Sequence, residues 1–270
     1  MNRLEASPST ATVSLSSKTS QAAPMSALDL SLSGCGLFSG GGCELSVVDE
    51  QSLAPLLPAT TFMPVHYEQG YAYPLLVWLH GEGQSDADLP TVMKHISLRN
   101  YVAVAPRCEP LAMTAGGVSE QQAGNSWVDT TDAVFASEQR IDSAIALAEM
   151  LFNVRPNRVF LAGMGSGGSA ALRIGLANPA QFAGVASFYG GMPQGNQPLR
   201  NINQVRRLPL MLASASDSED YPQPQVCEDL SLLHTAGCQV NVRQYPGNDG
   251  LSTKMLSDLD HWMMQIVCNG

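Results

Sequence analysis

An α/β fold, with a mostly parallel central sheet and helices on both faces, is what this sequence of 270 residues predicts. Two observations carry that expectation. The first is a series of short, continuous apolar runs at residues 74–80, 101–105, 159–162, 184–189 and 208–213, the pattern of strands covered on both faces. The second is that helical periodicity separates these runs from Pro74 to the end. Strand and helix in alternation imply parallel strands joined by right-handed crossovers. Reactive sites in such sheets lie at the carboxyl ends of the strands.

The elements follow in order. Residues 1–26 are rich in Ser, Thr and Ala; they bury too little surface to offset ordering entropy and read as a disordered tail. Residues 27–60 alternate short apolar fragments with Gly clusters and read as a partly ordered arm. The α/β domain is expected over residues 61–270. Residues 62–67 predict an early strand that Pro64 confines to a sheet edge, and Gln69–Gly70 a turn. After the run at 74–80 comes the turn His80–Gly81–Glu82–Gly83, then Ser85 or Asp86 as cap of a helix with the stripe Leu89, Val92, Met93 and Ile96. A loop of about 25 residues after the 101–105 run contains Trp127, and loops that long in a compact domain are usually functional or mobile. The helix at 134–152 presents Ile141, Ile145, Ala148 and Phe152. A helix at 223–236 with Val226, Leu230 and Leu233 stops at Gly237, a last strand covers 239–245, and a turn occupies 246–250. The closing helix turns Met255, Leu259, Trp262, Met263 and Ile266 inward.

Composition excludes several classes. A net charge of −10 argues against nucleic acid or an anionic membrane, both of which are held by Lys and Arg. No apolar run approaches the ~20 residues that span a bilayer. The N-terminal residues show no basic-then-apolar signal pattern, so a cytoplasmic location is expected. Six cysteines are spread along the chain without a C-x-x-C pair, which does not read as a disulfide scaffold. Cys35 and Cys43 flank glycine-rich sequence and would pair only in an oxidising compartment; the others are expected to be buried thiols. No cofactor or metal is expected, and the oligomeric state is not legible.

The densest signal lies at residues 158–191. Residues 159–162 read as a buried strand, 163–168 as a glycine-dense turn, and 169–177 as a small-residue helix stopped by Pro179. Strand, sharp turn and helix form the nucleophile elbow of α/β-hydrolases, which holds a serine two residues after the first glycine. That residue here is Gly165. Ser166, one place later, has two readings. It caps the following helix, or a slip in the glycine turn brings its hydroxyl to the apex.

Three segments extend the pattern. They are P-L-L-V-W-L-H-G-E-G followed by S-D-A-D-L, then V-F-L-A-G-M-G-S-G-G-S-A-A-L-R, then L-P-L-M-L-A-S-A-S-D with V-R-Q-Y-P-G-N-D-G-L. With N-S-W-V-D at residues 125–129, and in this order, they resemble the phospholipase/carboxylesterase family of α/β-hydrolases over residues 74–267. The resemblance implies an α/β-hydrolase fold and, in an intact member, attack of a serine on a carboxylic ester or thioester. The family serine falls on Gly165, the histidine on Asp249 and the aspartate on Asp217, with Asp220 a competitor for that place. The backbone N–H groups of Glu82 and Ser166 match the oxyanion donors.

None of the five histidines is expected to serve as base: His80 belongs to the H-G turn, and His66, His95, His234 and His261 are expected to be structural or exposed. Losing the serine or the histidine of a triad costs on the order of 10⁶ in turnover. The expectation is therefore a weakly active or non-catalytic relative whose partner is a small ester, thioester or other acyl ligand. One alternative is a ligand-binding or regulatory protein. The other is an active hydrolase using Ser166, or an Asp217/Asp249 pair whose mutual repulsion raises one pKa, with Glu82 on the facing turn as a candidate third acid.

Overall fold

The apolar runs form the centre of a seven-stranded sheet in the computed structural model, which describes residues 57–108, 127, 131–193, 199–248 and 250–269. The strands are β1 (Ala59–Phe62), β2 (Tyr73–Leu79), β3 (Val102–Pro106), β4 (Val154–Met164), β5 (Gly184–Phe188), β6 (Leu210–Ala215) and β7 (Val240–Tyr245). The helices are α1 (Leu89–Ile96), α2 (Thr131–Leu151), α3 (Ser166–Ala177), α4 (Ile202–Val205), α5 (Gln223–Thr235) and α6 (Thr253–Asn269). Spatial order is β1-β3-β2-β4-β5-β6-β7. Every neighbouring pair is parallel except β1 with β3, so the chain has the predicted α/β-hydrolase sheet with one antiparallel edge.

Side chains alternate across β2 with the period of two that a strand imposes. Leu75 and Val77 enter a core with Ile141 of α2, Leu161 of β4 and Leu172 of α3. Leu76 and Trp78 enter a second core with Met93 of α1, Phe160 of β4, and Met255 and Trp262 of α6. Both faces are thus covered, which is why β2, β3, β5 and β6 read as unbroken apolar runs.

Several elements differ from expectation. The edge strand is Ala59–Phe62, ending before Pro64. Pro64 has no N–H to donate to a ladder. β4 begins at Val154 rather than 159, because the sheet continues beyond the core through the exposed residues Arg155, Pro156 and Asn157. The short helix α4 was not predicted. Cys227 and Cys268, expected to be buried, are exposed: both lie on outward faces, of α5 and α6. The expected tail and most of the expected arm lie outside the described residues, as does the loop before α2 apart from Cys108 at its start and Trp127.

A clamp fixes the turn that follows β2. The buried Asp86 accepts from Arg107 Nε at 3.1 Å and Nη2 at 3.3 Å and from the Thr60 hydroxyl at 2.6 Å. Burial pushes the Asp86 carboxyl up, but the bonds from Arg107 and Thr60 and the Arg107 charge outweigh it and hold the carboxyl below its ordinary range. The turn is thereby tied to both β1 and the end of β3. No helix among the described residues is long and apolar enough to cross a membrane.

Candidate active site

β4 ends at Met164 and α3 begins at Ser166, leaving Gly165 alone at φ 53°, ψ −122°. Glycine adopts this left-handed conformation without the Cβ penalty other residues meet. The Gly165 N–H donates to the Phe188 carbonyl at 2.8 Å, and its own carbonyl accepts from Ser169 N–H at 3.1 Å. Gly165 is therefore the apex of the turn, with no slip in register. Ser166 is the first helical residue rather than the cap, and its hydroxyl accepts from the Trp127 N–H at 3.3 Å. The helix behind it is pressed onto the sheet. A Cβ on Gly167 would stand 2.8 Å from the Leu79 carbonyl carbon and closer still to the Leu79 and His80 carbonyl oxygens.

The space that a side chain at the apex would fill is taken. The Glu82 carboxylate reaches over from the turn after β2, and its Oε1 accepts the Ser166 N–H at 2.9 Å. Its Oε2 rests where a Cβ on Gly165 would stand, with the carboxyl carbon 3.3 Å from that position. Sequence reasoning assigned Glu82 a role through its backbone N–H, and for its side chain only a place beside the Asp217/Asp249 pair. The contact of its side chain with the apex was invisible, because it depends on the missing Cβ of a residue far away in the sequence.

Gly165, Glu82 and Ser166 border a cavity of about 440 Å³. Trp127, Val134, Ile174, Tyr189 and Met192 give it apolar walls, and Ser137, Ser169, Arg173, Asp220 and Gln225 add polar groups. None of the five histidines lines it. His80 is buried behind the turn. Its Nδ1 lies 3.0 Å from the Gly81 carbonyl, which can only accept, so that nitrogen carries the proton. Trp127 covers the same turn, its indole N–H donating to the His80 carbonyl at 3.1 Å. His66, His95, His234 and His261 are exposed, as expected.

The acid side is built differently. Asp217 follows β6, is exposed, and is tied to the last turn by its backbone N–H, which donates to the Gly247 carbonyl at 3.0 Å. Of the two competing acids, Asp220 lines the cavity and Asp217 does not. Asp249 lies outside the described residues.

Sequence reasoning missed Asp229, a buried acid under the cavity wall. It accepts the Met192 N–H at 2.8 Å and the Tyr221 hydroxyl at 2.8 Å. Burial, and then the bond to Asp229, hold the Tyr221 hydroxyl well above its ordinary range. Its signal was available: it stands three residues after Val226 and four before Leu233, on the buried stripe of α5. Tyr189 at the end of β5 has φ 58°, and its hydroxyl reaches the Gly250 carbonyl at 3.1 Å and Met255 Sδ at 2.9 Å. Among the described residues, no group of three His, Cys, Asp or Glu side chains is arranged to hold a metal ion.

A parallel sheet whose central strand turns sharply into a helix, facing an H-G turn from the next strand, defines an α/β-hydrolase. Comparison with known proteins agrees. Residues 83–250 match the dienelactone hydrolase family. Carboxylesterase SOBER1 of Arabidopsis thaliana is 23% identical over 206 residues, covering 70% of this chain and 88% of that protein. The crystal structure of SOBER1 aligns with a TM-score of 0.56 and 23% identity over 73% of this chain and 100% of that one. A phospholipase/carboxylesterase from Dyadobacter fermentans aligns at 0.56, with 18% identity over 76% of this chain and 95% of that one. The Bacillus cereus carboxylesterase aligns at 0.58, with 12% identity over 78% of this chain and 95% of that one. The chain belongs to the dienelactone hydrolase family and is a carboxylesterase-like α/β-hydrolase.

Proposed function

We infer that this chain does not carry out the serine-esterase reaction and uses its cavity to hold a small ligand. The observation that carries this reading is the apex itself. Gly165 offers no nucleophile, and the Glu82 carboxylate occupies the volume where a nucleophile's side chain would begin. Glu82 also engages the Ser166 N–H, the kind of donor that stabilises an oxyanion in acyl transfer. Ser166 does not substitute: its hydroxyl is held by Trp127 N–H, and no histidine lines the cavity to take its proton. A nucleophilic serine needs a base within hydrogen-bond reach.

The test is direct. Purified protein is expected to release no nitrophenol from p-nitrophenyl butyrate above the buffer rate, and to take no label from a fluorophosphonate probe. Labelling that disappears in Ser166→Ala would overturn the reading and establish a serine hydrolase with a displaced nucleophile.

A further inference from the structure

We propose that Glu82 reverses the polarity of the cavity floor, so that the ligand selected is a small primary amine on a short apolar chain. The proposal rests on the non-catalytic reading above and names its ligand. A floor that handles ester carbonyls must point hydrogen-bond donors at an oxygen. Here one of the two expected donors, Ser166 N–H, is already taken by Glu82 Oε1 at 2.9 Å, and Glu82 with its carboxylate borders the cavity. An ionised carboxylate accepts about four hydrogen bonds; one is used by Ser166. Oε2 rests against Gly165, which lacks a Cβ, and Glu82 lines the cavity, so this oxygen is the acceptor for a donor from the ligand.

The surroundings favour the same sign of ligand. The whole chain carries −10, and a net field of that sign raises the local concentration of cations. Val134, Ile174, Met192 and the rings of Trp127 and Tyr189 provide apolar contact for a short chain. A carboxylate seated at the Ser166 N–H, by contrast, would have to expel Glu82 and then sit beside it.

The experiment compares n-butylamine and butyrate as probes, by ligand-observed NMR at pH 7, with the folding of each variant checked by circular dichroism. Glu82 is exposed, so its replacement does not disturb either core. Wild type is expected to prefer n-butylamine over butyrate by about tenfold, the scale of one favourable ionic hydrogen bond, ~1.4 kcal/mol. Glu82→Ala bares the Ser166 N–H at the start of α3, where anions are favoured, and is expected to prefer butyrate. Glu82→Gln retains an acceptor for that N–H without the charge, so it loses the amine preference and gains no butyrate. A wild type that binds no n-butylamine, or prefers butyrate, overturns the proposal, as does a preference unchanged in Glu82→Ala. Those outcomes leave the non-catalytic reading intact; only turnover or fluorophosphonate labelling of wild type removes it.

Discussion

The two sides of the sheet's reactive end are built on different terms. On the β2–β4 side the backbone is fixed by contact: α3 lies so close to β2 that Gly167 has no room for a methyl group, and the elbow amide is bonded across to β5. On the β6–β7 side an exposed Asp217 is held through its backbone to Gly247, and Ser216 accepts the Gly247 N–H at 3.2 Å. The first arrangement is a consequence of packing and stands whatever atom occupies the apex. The second is carried by loops, where side chains can be exchanged with little effect on the fold. The frame of the site therefore does not depend on which side chains its loops carry.

Substitutions can break or sharpen that contrast. The largest effect is expected at Gly167→Ala. Alanine is the better helix former by about 1 kcal/mol, yet its Cβ would press on the Leu79 and His80 backbone, which cannot yield as a side-chain end does. A net loss of about 3 kcal/mol, at the upper end of overpacking costs, should appear in urea unfolding. Equal or higher stability would show that the α3–β2 contact is not what fixes the elbow.

Asp229→Ala comes next. It strands the Tyr221 hydroxyl and the Met192 N–H, and bonds to a charged acceptor are worth about 1.5–3 kcal/mol each, so a loss of about 2 kcal/mol in thermal unfolding is expected after relaxation. Asp86→Asn tests the clamp through pH. The folded carboxyl titrates below its ordinary value of 3.8, so its stabilisation is fully present above that pH and is lost as pH falls through the depressed value. The stability gap between wild type and Asp86→Asn should be open at pH 7 and closing by pH 3. The smallest effect belongs to Asp217→Ala, which should lie within about 0.5 kcal/mol of wild type, the range of ordinary surface substitutions.

How much of this was readable in the sequence follows from what each feature depends on. β2, β3, β5 and β6 were legible because strands hidden on both faces leave continuous apolar runs. The edge strand was legible in kind but displaced, since its pairing with β3 is set by register and stops before Pro64. The exposed Cys227 and Cys268 were misjudged because thiols bury readily and residue type outweighed helix face. The turn at 163–168 revealed the elbow and its vacant apex. The placement of the Glu82 side chain over Gly165 was beyond reach: it is a contact between two turns from different strands, made possible by an atom that glycine lacks. Asp229 was within reach, as an acid on an apolar stripe.

The grip of Thr60 and Arg107 on Asp86 has a practical consequence for anyone dissecting the molecule. The family match starts at residue 83, but β1, β2 and Glu82 precede that point. A fragment trimmed to the matched residues would lose a central strand, one jaw of the clamp and the carboxylate over the apex together. The smallest portable pocket begins upstream of Thr60, and its outermost strand belongs to the cavity's foundations as much as to the edge of the sheet.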